Sequence, residues 1–215
     1  MKKTCILCDF DGTISKKDAI YHFFKTYCLD GWQDVEQLWI DKKIDSKECL
    51  KREFELVPNL NQTLIDNYLE TVEIDESFKD FYEFCNKNDT DIYIVSDGIN
   101  YFIEKILENH GIKGIKVFSN QAEFVKGKYE FSYPNENKNC VNNLGTCKCN
   151  VLNNMKKLYE KTVYVGDGIS DYCVADKADI LYAKTSLIDY CEQNGIKYIG
   201  YNTFEDIKNS LFVNC

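Results

Sequence analysis

Two carboxylates stand two residues apart in Asp9-Phe10-Asp11-Gly12-Thr13, directly after the apolar run Cys5-Ile6-Leu7-Cys8. In an extended chain Asp9 and Asp11 share a face. Past the strand end, Gly12 frees the backbone to reorient them. Carboxylates held this close repel unless a positive centre lies beside them. A hard divalent cation such as magnesium suits their oxygens, and so does a phosphate centre. One carboxylate can then attack phosphorus while its neighbour moves protons. The bland reading is a solvated Asp-Gly turn, so the rest of the chain must decide.

Three further segments carry chemistry. Ser96-Asp97-Gly98 follows the apolar run Ile92–Val95 and is expected to open a helix, offering a hydroxyl and free N–H groups to an anion. Gly166-Asp167-Gly168-Ile169-Ser170-Asp171 follows Val163-Tyr164-Val165, where glycines let the backbone pack closely around a cation. Lys148 precedes a helix expected from Val151 and can reach a phosphate at the strand ends. Each has an ordinary alternative: a helix N-cap, an acidic turn, a surface lysine. The ordered set of four, all at strand ends or helix starts, is much harder to dismiss.

The elements that must position these groups are short β-rich runs alternating with helical stretches. Thr4–Cys8, Asp91–Val95, Ile115–Phe118, Thr162–Val165 and Ile180–Ala183 read as buried strands, near-continuously apolar as in a parallel sheet covered on both faces. Helical patterns cover Phe78–Asn86, Tyr101–Glu108, Val151–Glu160 and Ser186–Asn194. The alternation predicts an α/β fold: a doubly wound, Rossmann-like parallel sheet that binds ligands beyond the carboxyl ends of its strands. From about Ser15 to Val72 only aromatic-rich helical patterns occur, which predicts a small helical cap inserted after the first strand, a candidate lid. The expected division is a core of residues 1–14 and 76–215 and a cap of residues 15–75. Phe124–Tyr129 alternates around a glycine and predicts a hairpin.

Composition bounds the partners. The chain has 215 residues, 44% hydrophobic and 28% charged, with 26 basic against 35 acidic side chains for a net charge of −9. That balance argues against non-specific nucleic-acid binding and against an anionic membrane surface. No apolar stretch approaches a membrane span, and the run after Met1-Lys2-Lys3 ends at Asp9, so a cytosolic protein is expected. Its 11 cysteines are then expected as reduced thiols. Cys140, Cys147 and Cys149 cluster in an Asn-rich loop without an obvious fourth zinc ligand.

With Asp9–Thr13, Ser96, Lys148 and Asp167–Asp171 in this order, the chain resembles the haloacid dehalogenase-like phosphohydrolase superfamily over nearly its whole length. The insert resembles the small cap of phosphoserine phosphatases. Asp18, Trp32, Lys51-Arg52 and Leu56-Val57-Pro58 are similar to the phosphatases of methionine salvage, while phosphoserine and phosphocholine or phosphoethanolamine phosphatases are the alternatives. The resemblance implies a small-molecule phosphate ester as substrate and Mg2+ as cofactor. Asp9 is implied as nucleophile, Asp11 as acid and base, and Ser96, Thr13, Gly98 and Lys148 as phosphate-binding. Magnesium is implied on the Asp9 carboxylate, the Asp11 main-chain carbonyl and Asp167, with Asp171 orienting a metal-bound water or Lys148. Asp18 and Arg52 are implied as leaving-group contacts. Asp97 departs from the usual glycine and must point away from the phosphate or meet a substrate cation. A receiver-like phospho-switch and a phosphomutase are the rivals; the insert and the late Gly166–Asp171 motif disfavour the receiver.

Overall fold

Strand β1 (Lys2–Cys8) takes the middle of the sheet because both of its faces are apolar. Cys5, Ile6, Leu7 and Cys8 are fully buried, with Ile6 and Cys8 in one core and Cys5 and Leu7 in the other. A strand covered this way needs helices on both sides. The computed structural model describes residues 2–139 and 144–212 and supplies them. Around β1 stand β2 (Asp91–Ile99), β3 (Lys116–Val125), β4 (Lys128–Ser132), β5 (Tyr159–Gly166), β6 (Ile180–Ala183) and β7 (Ile199–Gly200). Their order is β4-β3-β2-β1-β5-β6-β7. All neighbours pair in parallel except the β3–β4 hairpin, which turns at Lys126-Gly127.

Helices α5 (Phe78–Lys87), α6 (Asn100–Asn109) and α9 (Phe204–Phe212) pack on the Ile6 face. Helices α7 (Lys148–Met155) and α8 (Ser186–Asn194) cover the Leu7 face. This is the doubly wound α/β architecture that the alternation predicted.

Between β1 and α5 lie α1 (Ala19–Tyr27), α2 (Trp32–Ile40), α3 (Ser46–Glu55) and α4 (Gln62–Leu69). Asp18, Asp45 and Asn61 start α1, α3 and α4, each side chain accepting from the N–H three residues on. An antiparallel bridge between Ser15 and Ile74 closes the base of this segment. Its aromatic core is continuous with that of the sheet: Phe23 meets Phe102 at 5.4 Å between ring centres, and Phe54 meets Tyr129 at 4.9 Å and Phe131 at 5.6 Å. The hairpin thus props α3.

Three boundaries differ from the sequence reading. Strand β2 runs on through Ser96, Asp97 and Gly98 to Ile99, past a register shift after Val95, so Ser96 is not the N-cap of α6. Helix α7 begins at Lys148 and ends at Met155, because Tyr159 already belongs to β5, its hydroxyl bonded to Asp91 at 2.5 Å. Strand β3 carries straight from parallel pairing with β2 into the hairpin. Cys140 lies outside the described residues. Among the described residues, no helix is long and apolar enough to cross a membrane.

Phe23 is fully buried where α1, α3 and α4 meet α6. Phe23→Ala is expected to lower stability by about 3–5 kcal/mol, read as a urea-unfolding midpoint with an unchanged slope. An unmoved midpoint contradicts the shared core.

Candidate active site

Register brings the loaded residues to one edge. Cys8 pairs with Ile94 on one side and Val165 on the other, so Asp9 and Asp167 leave β1 and β5 level with Ser96 in β2. The chain reverses direction across β1, and such a switch point is where open α/β sheets hold ligands.

Lys148 is the anchor. Its ammonium is fully buried and reaches Asp9 Oδ2 at 2.8 Å, Asp171 Oδ1 at 2.6 Å and Ser170 Oγ at 2.7 Å. Burial alone pushes a lysine down, but Asp171 and Asp9 outweigh it and hold Lys148 well above its ordinary value. Asp171 is also buried and accepts from the Tyr164 hydroxyl at 2.6 Å and from the N–H groups of Asp167 and Gly168 at 2.9 and 3.1 Å. A side chain at Gly166 would collide with its carboxylate. Asp171 is therefore committed to Lys148 and to the short 3-10 turn Ile169–Asp171.

Gly12 adopts φ +74°, and a Cβ there would stand 2.5 Å from Asp167 Oδ2. Both conditions demand glycine. Asp11 Oδ1 accepts from the N–H of Ala19 at 2.8 Å, at the positive start of α1. A Cβ at Gly98 would lie 2.9 Å from Asp11 Oδ2 and 3.0 Å from Ser96 Oγ, which puts these three groups together. Asp97 resolves differently from a phosphate contact. Its Oδ1 accepts from Thr146 N at 2.8 Å and Asn120 Nδ2 at 3.1 Å, tying the end of β2 to the loop that leads into Lys148.

Asp9, Asp11, Gly12, Ser96, Gly98 and Asp167 form the floor of a cleft of about 410 Å³, with Lys148 and Asp171 buried behind them. Its roof comes from α1, α2 and α3: Tyr21, Phe24, Glu36, Trp39, Leu50 and Glu53. Of the residues expected to bind substrate, Asp18, Ser96, Asp97 and Gly98 line the cleft. Thr13 and Arg52 do not. Thr13 is buried and donates to Asp167 Oδ1 at 2.8 Å, while Arg52 pairs with Glu48 at 2.7 Å on the outside of α3. Trp32 sits in the core beneath Tyr21.

Sequence reasoning passed over Tyr164, Ser170, Glu36 and Glu53. Glu53 had a legible signal: it falls in the buried stripe of α3 with Cys49, Leu50 and Phe54, where an acid is out of place.

Charge is the dominant property of the cleft. Among the described residues lining it there is no lysine, arginine or histidine. Burial, and then the charge of Asp171, pushes Asp9 well up and Asp167 up to about 6. Burial, and then Asp18, raises Asp11. The oxygens of Asp9, Asp167 and Asp171 lie within 4.8 Å of one another. With Asp171 committed, Asp9 and Asp167 remain as hard oxygen donors short of positive charge. A hard divalent cation fits them.

Comparison with known proteins agrees with this geometry. Phosphoserine phosphatase, solved as a phospho-aspartyl intermediate analogue, superposes with a TM-score of 0.70 over 97% of this chain and 99% of that one, at 19% identity. A HAD family hydrolase from Salmonella enterica serovar Typhi gives 0.71 over 94% of this chain and 68% of that one, at 16% identity. The fold is thereby set: it is the one shared by that phosphoserine phosphatase and that HAD family hydrolase. A 2-hydroxy-3-keto-5-methylthiopentenyl-1-phosphate phosphatase of Bacillus cereus is 29% identical over 208 residues, 96% of this chain and 94% of the relative. The family described as "Putative Phosphatase" matches residues 4–183; the chain belongs to it and is a phosphomonoester hydrolase.

Two outcomes test the electrostatics. Asp171→Asn strips a partner from a buried ammonium and is expected to lower stability by about 3–5 kcal/mol, whereas Glu48→Gln, in an exposed pair, changes it by less than about 1 kcal/mol; equal effects in urea unfolding contradict the assignment. Burial, and then Glu36, pushes Glu53 up to about 9. Folded Glu53 therefore keeps its proton while the unfolded chain releases it. Wild-type stability relative to Glu53→Gln should fall as pH rises from near 4.5 toward 9. A difference that stays flat over that window, measured by urea unfolding, contradicts it.

Proposed function

We propose that the chain is a magnesium-dependent phosphomonoesterase working through an aspartyl-phosphate on Asp9. The observation that carries this reading is the Asp9 carboxylate at the sheet's switch point, paired at 2.8 Å with the fully buried Lys148 and sharing the cleft with Asp11. An Asp9 oxygen attacks phosphorus as the bond to the leaving alcohol breaks. Asp11, raised by burial, delivers its proton to the departing oxygen and then takes one from the water that attacks the aspartyl-phosphate. Inorganic phosphate leaves and the Asp9 carboxylate is restored.

Lys148 and Ser96 hold the transferring phosphoryl group, whose positioning and charge neutralisation provide most of the acceleration. Asp9, Asp167 and the main-chain carbonyl of Asp11 are the residues to hold magnesium, which supplies positive charge against the phosphoryl oxygens when bound. Thr13 steadies Asp167, and Asp171 steadies Lys148.

Residues 15–75 act as the cap that roofs the cleft and meets the leaving group. The substrate is a small phosphometabolite. The likeness to methionine-salvage phosphatases over nearly the full chain supports 2-hydroxy-3-keto-5-methylthiopentenyl-1-phosphate. The acidic roof favours a second class, amine-bearing phosphates, because Glu36 and Glu53 offer little to a neutral thioether tail.

Asp9→Asn with magnesium and p-nitrophenyl phosphate is expected to release no phosphate above background, and Asp11→Asn to accumulate phospho-enzyme on acid quench. Full turnover by Asp9→Asn eliminates the nucleophile assignment.

A further inference from the structure

Thr185 is a strained point beside the site. It stands between β6 and α8 at φ 47° and ψ −133°, a region that glycine enters freely and a β-branched residue does not. Among the described residues five besides glycines have positive φ, and Thr185 alone of them is β-branched. Its side chain is exposed, so packing does not force this backbone on it. Nor does Thr185 act as a threonine ahead of a helix usually does. At the N-cap of α8 its hydroxyl would ordinarily accept from an N–H of the first turn, and it makes no such bond.

The hydroxyl donates instead to the main-chain carbonyl of Asp167 at 2.5 Å. The N–H of Leu187, in the first turn of α8, meets the same oxygen at 2.9 Å, and the Ser186 hydroxyl at 3.4 Å. The Asp167 carbonyl thus takes the place of the missing cap, and the positive end of α8 is fastened to the loop after β5. Lys184, one residue earlier, reaches the carboxylate through a relay. Its ammonium donates to the Thr13 carbonyl at 3.2 Å, and the Thr13 hydroxyl donates to Asp167 Oδ1 at 2.8 Å. The Asp167 N–H is held in turn by Asp171. Backbone and carboxylate of Asp167 are gripped together, with Oδ2 abutting Gly12.

We infer that Thr185 is a positioning residue for the reaction: it keeps a strained backbone so that its hydroxyl, with the first turn of α8, holds Asp167 in the pose that receives a divalent cation. This rests on the magnesium reading proposed above. A carbonyl oxygen offers two lone pairs; the Thr185 hydroxyl and the Leu187 N–H occupy them, and Ser186 at 3.4 Å adds little. Without the hydroxyl the Asp167 peptide is free to rotate, and its carboxylate turns with it. Strain of this type persists only where its surroundings over-determine it. Glycine would suit the backbone at position 185 better and hold Asp167 worse.

The test compares Thr185→Gly, Thr185→Ala and Thr185→Ser with the wild type in two readouts, urea unfolding without metal and Mg2+ binding by titration calorimetry. Thr185→Gly is expected to unfold at a higher urea midpoint than Thr185→Ala, the reverse of the usual order, since only glycine relieves the backbone. Both should bind Mg2+ about 10-fold or more weakly than the wild type, the scale for losing a group that orients a metal ligand. Thr185→Ser keeps the hydroxyl and should stay within about two-fold of wild-type affinity. If Thr185→Ala fails to fold while Thr185→Gly folds, the strain is supported and Thr185→Gly alone carries the affinity comparison. A Thr185→Ala midpoint at or above that of Thr185→Gly, or a Thr185→Gly that does not fold, overturns the inference. Unchanged Mg2+ affinity in Thr185→Gly, or an equal loss in Thr185→Ser, overturns it too, yet leaves the magnesium reading standing. A wild type that binds no Mg2+ brings down that reading and the inference with it.

Discussion

A buried ammonium between two buried carboxylates is the contact on which this molecule's chemistry depends. Lys148 is fully enclosed, so its charge is tolerable only because Asp9 and Asp171 lie within 2.8 Å. That requirement fixes more than one side chain. It sets where α7 begins, since Lys148 is its first residue. The turn after β5 is fixed with it, because Asp171 must satisfy the lysine, Tyr164 and two backbone N–H groups together. Asp97 secures the approach to α7 from the end of β2. Three sheet edges are thereby locked to one charge.

Lys148 compensates only part of the negative charge in the site. Asp9, Asp11 and Asp167 all sit above their ordinary values for the same reason: removal from water and mutual repulsion. A cleft in that state favours ligands that bring positive charge. Under the function proposed above, the floor takes a hard divalent ion. A phosphate monoanion or dianion is repelled by such a place unless positive charge accompanies it.

The sheet and the floor of the site were legible in the sequence because each residue there obeys a local rule. Near-continuous apolar runs announce strands buried on both faces, and their ends carry Asp9 and Asp167 as expected. Ser96-Asp97-Gly98 reads locally as the opening of a helix, because Ser followed by Asp-Gly satisfies that rule. What overrides it is pairing with β3, which holds the chain extended to Ile99. Asp97 was recognised as anomalous, but its partners Asn120 and Thr146 lie 23 and 49 residues away. Arg52 sat in a promising motif, yet a charge four residues back captured it. These misses share one cause: the deciding contact is distant, or it competes with a nearer one.

Glu53 shows how far tertiary packing reaches into function. Helix α3 is highly charged, and in isolation it would present Glu53 to water like its other acids. The neighbouring residue, Phe54, is drawn inward by Phe24, Tyr129 and Phe131, rings contributed by α1 and by the β3–β4 hairpin. Seating Phe54 rotates α3 so that the preceding carboxylate is enclosed too, at the edge of the cleft instead of the surface. A hairpin at the margin of the sheet therefore sets the orientation of an acid above the active site. Since that hairpin is a continuation of β3, whose parallel segment pairs with β2 beside Ser96, floor and roof are held in one frame.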